Sequence, residues 1–263
     1  MAGKAISMDK SGSDGLVQVA FRLGDVLDAI AWQSPVSLSA VAREAALPKT
    51  TAHRLLLSLE QARMVVKTDA GYILGPRIDQ WRTPLDQYQQ FRGAIHDVLT
   101  ELVTETRETA SLFVGMRDRR VCWAVQEGDQ EVRHVLKRDQ SFPLGTGSGG
   151  KLILAMLPKR ERERGIKATL RRFPHAIIPT ISHEDWDAIK KEGFAISVAE
   201  REPGLASVSV LIRNWPMASL GLSGPAMRFS PERQRQFVEI LRLASQKIDR
   251  LLDSKSKGGT HDF

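Results

Sequence analysis

The chain of 263 residues contains one cysteine, Cys122. A single thiol excludes an intrachain disulfide and a thiolate zinc cluster. It points to a reducing compartment, the cytoplasm. No apolar run approaches the ~20 residues that a bilayer span needs, so no membrane partner is expected. Met1 to Asp14 is small and polar and lacks the apolar stretch of a secretory signal. The six histidines, His53, His96, His134, His175, His183 and His261, show no metal-ligand spacing. No Ser-His-Asp or Cys-His arrangement can be assembled. Glu161, Glu163, Glu200 and Glu202 are paired by sequence only, and the charge run Lys159 to Arg164 suits a solvated helix face. No catalytic residue, metal or cofactor is therefore expected.

A strong basic bias where it would matter is also missing. The net charge is +7, yet residues 1–80 carry nine Lys and Arg against eight Asp and Glu. A case for nucleic acid must rest on where charges sit, not on their sum. What is present is a core: 42% of residues are hydrophobic and 26% charged, as in a globular protein.

The chain reads as two domains of different pattern. Residues 1–15 and the tail 254–263 are polar and expected to be disordered. Val19, Leu23, Val26, Leu27 and Ile30 recur at helical spacing. Ser37 can cap a second helix with Leu38, Val41, Ala42 and Ala45 on one face. Pro48 suits the first turn of a third, whose inner face is Ala52, Leu55, Leu56 and Leu59. Val65 to Leu74 reads as a hairpin turning near Gly71. Helix, helix, tight turn, helix and hairpin is the order of a winged helix-turn-helix. Residues 16–76 form this unit, and 77–91, interrupted by Pro84, a helical linker.

Residues 92–253 read as α+β with a mostly antiparallel sheet. Helices are expected at 92–107, from Gly145 through Leu157, from Ser182 to Gly193, and from Pro231 to about Asp253. Strands are expected near 110–116, 121–126, 131–137, 194–200, 205–213 and 217–223.

A DNA reader needs a helix with one apolar face and, near its N-terminus, short polar and basic side chains. On the third helix Lys49, Thr50, Thr51, His53, Arg54 and Ser58 occupy the open face. Lys49, Thr50 and Thr51 suit a phosphate at a helix start, and Arg54 a guanine edge or a phosphate. Lys67 and Tyr72 on the hairpin could touch the DNA backbone. An ordinary amphipathic helix of a small bundle fits the same spacing about equally well.

Gly145-Thr146-Gly147-Ser148-Gly149-Gly150-Lys151 matches the opening of a P-loop and is the best case for an alternative, a nucleotide-hydrolysing enzyme. Leu152 stands where the magnesium-binding hydroxyl belongs, and the charged stretch before it is unlike a buried parallel strand. A glycine-rich helix start would bind a carboxylate as readily as a phosphate.

Several stretches occur in the order of a known family. They are Ser37 to Ala42, Leu47-Pro48-Lys49-Thr50-Thr51-Ala52-His53-Arg54-Leu55-Leu56 and Gly71-Tyr72-Ile73-Leu74-Gly75-Pro76. Phe142-Pro143-Leu144 through Lys151, Glu192-Gly193-Phe194-Ala195 and Arg201-Glu202-Pro203-Gly204-Leu205 through Val210 follow, then Leu222 to Pro225 and Ser230 to Arg233. Over about residues 16–253 the chain resembles the IclR family of transcriptional regulators. The resemblance implies a DNA-binding head on a GAF-like effector-binding domain, acting as a dimer or dimer of dimers on a palindromic operator in double-stranded DNA. Carried over by position, the ligand pocket would include Ser148 and Gly149 at the helix start, and Ser197, Ser207 and Ser223 on strands. Such a pocket suits a small organic acid, carboxylic or aromatic, as effector. Ser207, Ser209 and Ser223 could equally be strand residues satisfied by backbone, and Trp123 and Phe142 either pocket wall or core. Ala46 and Arg63 stand where the family has glycine, so left-handed backbone is expected at both, costing about 1 kcal/mol each. Ala40 replaces a common glutamate, and Gly145 a common histidine.

Overall fold

The computed structural model describes residues 18–81, 85–215 and 217–256. The expected disordered N-terminus, 1–15, and residues 257–263 of the expected disordered tail lie outside the described residues, as do residues 16–17 of the first expected domain, Pro84 and the side chain of Tyr88; residues 254–256, expected in that tail, instead end the last helix. The chain divides into two compact units between Asp86 and Gln87.

The first unit holds α1 (Gln18–Gln33), α2 (Leu38–Glu44), α3 (Lys49–Gln61), β1 (Val65–Thr68), β2 (Gly71–Leu74) and α4 (Pro76–Trp81). The apolar stripes meet in one core containing Val26, Ile30, Val41, Leu56, Leu59 and Val65. Val19, expected on that stripe, is exposed. Ser37 caps α2, its Oγ accepting from the Ala40 N–H at 3.3 Å. Pro48 is the cap of α3 rather than part of its first turn. β1 and β2 pair antiparallel, with Lys67 opposite Tyr72. The backbones of Tyr72 and Val36 exchange two hydrogen bonds of 2.8 and 3.0 Å. Gly71 allows that approach: its φ is +138°, and a Cβ would stand 2.6 Å from the Val36 carbonyl oxygen.

The second unit contains α5 (Leu85–Thr106), β3 (Thr109–Gly115), β4 (Arg120–Gln126), β5 (Ser141–Phe142), α6 (Gly147–Met156), α7 (Lys159–Arg172), α8 (His183–Glu192), β6 (Phe194–Val198), β7 (Leu205–Leu211), β8 (Ala218–Pro225) and α9 (Pro231–Ser256). The strands form one sheet in the order β5-β4-β3-β8-β7-β6, and every neighbouring pair is antiparallel. Ser182 caps α8 through the Asp185 N–H, and Gly193 ends it in the left-handed region at φ 71°.

Period-two alternation gives the sheet two unlike faces. Ala110, Leu112, Ala206, Val208, Val210, Leu220 and Leu222 join α5 and α9 in the main core. The intervening residues Ser111, Ser207, Ser209, Gly221 and Ser223 face the other way and line a cavity with the start of α6. Trp123 belongs to the core side, where its ring meets Phe91 and Trp215.

Two expected elements differ. Residues 131–137 are irregular rather than a strand, and the only pairing of β4 on that side, among the described residues, is with the two-residue β5. The helix expected at 92–107 begins at Leu85, so much of the expected linker is its first turns. Phe91 explains this, being buried with Ile95, Leu99 and Leu102 on one continuous stripe. Arg162 departs from the solvated charge run of α7: it is buried with its guanidinium 4.9 Å from the Trp186 ring centre.

Candidate DNA-reading helix and ligand cavity

Helix α3 buries Ala52, Leu56 and Leu59 and leaves Lys49, Thr50, His53, Arg54 and Ser58 exposed, with Thr51 half-buried. The Ser58 hydroxyl donates to the Arg54 carbonyl at 3.0 Å, so it is spent on its own helix. Lys67 is exposed on β1. Tyr72 is not a surface residue: it is 5% exposed and belongs to the core of the unit. The strand alternation that exposes one face of the hairpin turns this ring inward. The sequence motif contained the tyrosine but not its direction. Leu57, on the open side of α3, is exposed and went unnoticed in the sequence.

The left-handed backbone expected at the two substituted glycine positions is present, with φ of 51° at Ala46 and 60° at Arg63.

In the second unit all five expected serine and glycine positions come together. Ser148, Gly149, Ser197, Ser207 and Ser223 line one cavity. Strand register explains three of them, because Ser197 pairs with Ser207 and Ser207 with Ser223, making one row across β6, β7 and β8. The row continues to Thr109 on β3. Ser148 links helix to sheet. Its Oγ donates to Ser207 Oγ at 2.8 Å and lies 2.7 Å from Ser209 Oγ, while its N–H also reaches Ser207 Oγ at 3.3 Å. A serine has one O–H proton, so Ser209 donates to Ser148. Ser207, accepting twice, keeps its own proton to donate into the cavity. Gly149 permits the close approach, since a Cβ there would stand 2.9 Å from Ser219 Oγ.

The sequence reading missed three cationic or titratable walls of this cavity: Arg120, His134 and Arg201. Arg120 opens β4 and is 4% exposed. One Nη donates to the carbonyls of Pro143 and Thr146, both at 2.6 Å, and its Nε is buried without a partner. Burial, then the charge of Arg201, pushes its pKa down to about 9, so it stays charged at neutral pH. Arg201 lies in the turn after β6, and both guanidiniums stack on Phe142, at 5.5 Å for Arg120 and 4.6 Å for Arg201. Phe142 thus backs the arginines. Arg201 Nη2 lies 2.7 Å from His134 Nε2, and His134 Nδ1 lies 2.7 Å from Ser223 Oγ. Arginine has no acceptor. His134 must therefore present a bare Nε2 to it and carry its proton on Nδ1, donating to Ser223. Burial, then the charges of Arg201 and Arg120, pushes the His134 pKa down to about 4, which fixes this neutral form. Cys122 is buried and pushed up to about 12 by burial and by Asp139, a protonated thiol.

The P-loop reading fails on geometry. The sheet has no parallel pair for it to follow. Lys151 turns away to bond the Ile196 carbonyl at 2.6 Å and pairs with Glu200. Among the described residues no group of His, Cys, Asp and Glu could hold a metal, and no helix is long and apolar enough to cross a membrane.

Family models match both units of the chain. Residues 19–69 match the IclR helix-turn-helix domain. A probable transcriptional regulator, SauR, of Cupriavidus necator is 27% identical over 237 residues, covering 87% of this chain and 93% of that one. The transcriptional repressor IclR of Escherichia coli is 23% identical over 259 residues, covering 94% of each. Among solved structures, an IclR homolog from Microbacterium hydrocarbonoxydans complexed with 4-hydroxybenzoate superposes with a TM-score of 0.53 at 21% identity, covering 89% of this chain and 99% of that one. These relatives are named as regulators and repressors, not enzymes. Residues 87–250, more than half the chain, match the bacterial transcriptional regulator IclR C-terminal domain, and the chain belongs to the IclR family of transcriptional regulators.

Proposed function

We propose that this regulator binds a palindromic operator through α3 and the β1–β2 wing, and that a small organic acid in the serine-lined cavity modulates that binding. The observation that carries the reading is the cavity wall. Free hydroxyl donors, a helix start and two guanidiniums converge there, and among the described residues no acidic side chain lines it. That is an environment for an anion. A relative complexed with 4-hydroxybenzoate is a precedent for an organic acid. Residues 16–76 would be the DNA-binding domain, 77–91 the connection and 92–253 the GAF-like effector domain. The protein would work in the cytoplasm as a homodimer or dimer of dimers, because a two-fold operator matches a two-fold protein. Effector binding would shift the balance between protein states that fit and misfit the operator. On α3, Lys49, Thr50, Thr51, His53 and Arg54 would meet DNA, with Lys67 on the wing. Ser58 would add little, and Tyr72 is withdrawn from the interface by its burial.

Two variants test the two halves. Once an operator has been found by genome-wide mapping of bound sites, Arg54→Ala should weaken its footprint by about 1–3 kcal/mol with an unchanged thermal transition. Ser207→Phe should keep the footprint and lose the effector response. A wild-type footprint from the first variant, or a wild-type response from the second, would refute that half.

A further inference from the structure

The proposed sensing cavity holds more positive charge than one carboxylate would neutralise. Arg120 is 4% exposed and, among the described residues, has no acid within ion-pairing distance. The Pro143 and Thr146 carbonyls accept its protons but leave its charge standing. A buried, uncompensated charge costs several kcal/mol. Arg201 is the second cation. Its acid partner, Glu202 at 3.1 Å, is 61% exposed, and solvent screens such a pair to little effect. Its Nε, like that of Arg120, is buried with no partner. Glu200 spends its Oε1 on Lys151 and forms no ion pair with either arginine among the described residues, and His134 is held neutral by the proton arrangement already described. Both guanidiniums lie against the ring of Phe142 and line the same cavity, where the charge of Arg201 disfavours that of Arg120.

We propose that the cavity is built for a dianion, a short organic molecule with two negatively charged groups. One group would sit on Arg120 and the start of α6, near Ser148 and the free proton of Ser207. The other would sit on Arg201 beside Ser197 and the His134–Ser223 pair. Gly147 and Gly150 make the first subsite possible. Arg120 Nη2 would lie 3.3 Å from a Cβ at Gly147, and a Cβ at Gly150 would collide with the other Nη. Phe113, Leu136 and Leu205 supply apolar wall for the carbons between the charges.

This rests on the sensing role proposed above and narrows it. The test is calorimetric titration of the full chain with matched pairs: succinate against butyrate, glutarate against valerate, and phthalate against benzoate. At least one dicarboxylate should bind roughly tenfold or more tightly than its monocarboxylate partner. Arg201→Gln should collapse that ratio toward one while monocarboxylate binding persists. Arg120→Gln should weaken both members of the pair. A ratio near one in the wild type, or a ratio that Arg201→Gln leaves intact, overturns the dianion. Monocarboxylate binding that Ser207→Phe abolishes would then leave the organic-acid reading standing. Absence of binding by all six acids overturns the dianion, and operator release by a different class of molecule would decide the sensing role separately.

Discussion

Ala46 and Arg63 hold left-handed backbone with side chains that disfavour it, at φ of 51° and 60°. An L side chain with a Cβ pays about 1 kcal/mol for this conformation, and glycine does not. Ala46→Gly and Arg63→Gly should therefore each raise the stability of the first unit by up to about 1 kcal/mol, less the extra unfolded-state freedom of glycine. Chemical denaturation followed by circular dichroism measures this, and a loss of stability in both variants would contradict it. His134 makes a second prediction. Its folded pKa of about 4 lies below the ordinary value of 6.5. Between those values the unfolded chain binds a proton that the folded chain refuses. Stability is therefore complete above pH 6.5 and falls as the pH drops toward 4, by up to about 3 kcal/mol from this residue. Replacing it with a group that cannot titrate, His134→Gln, should flatten the pH dependence of melting over that window; an unchanged slope would show the histidine is not its source.

At the scale of elements, the glycine-rich start of α6 matters more for what it admits than for the motif it imitates. At Gly150 a Cβ would collide with the Arg120 guanidinium and stand 3.0 Å from the Gly145 backbone nitrogen. Gly150→Ala should displace Arg120 from its two carbonyl partners and lower stability by roughly 1–3 kcal/mol. Anion binding should weaken with it, and an alanine variant that titrates like wild type would argue against the arrangement. Much at this scale was legible beforehand. The alternation Ala206-Ser207-Val208-Ser209-Val210 separates core from cavity without any knowledge of partners, because a strand has a period of two. Caps at Ser37 and Ser182 and the left-handed Gly193 are equally local. The strand expected at 131–137 failed because it lacks a partner: among the described residues the edge of β4 pairs with Ser141 and Phe142 and exchanges backbone hydrogen bonds with Asp139 and Gln140 through Cys122. Propensity cannot report a missing neighbour.

At the scale of the whole molecule, the two units have separate cores, one around Ile30 and Leu56 and one around Leu99, Leu220 and Phe237. A fragment of residues 85–256 should fold on its own, melt cooperatively and retain the anion-binding profile of the full chain. Calorimetry of the fragment would disprove this by showing no transition. The family, the order of helices and wing, and the serine face of the sheet were determined by the sequence alone. Each rests on a local period, a cap or an ordered set of motifs. The convergence of Arg120, His134 and Arg201 on one cavity was decided only by tertiary structure. Arg120 begins a strand, while His134 and Arg201 sit in irregular segments with no period, and 81 positions separate the first from the last. Antiparallel register brings them together, as it also turns Tyr72 inward. Pairing partners are set by the folded sheet, not by the residues on either side.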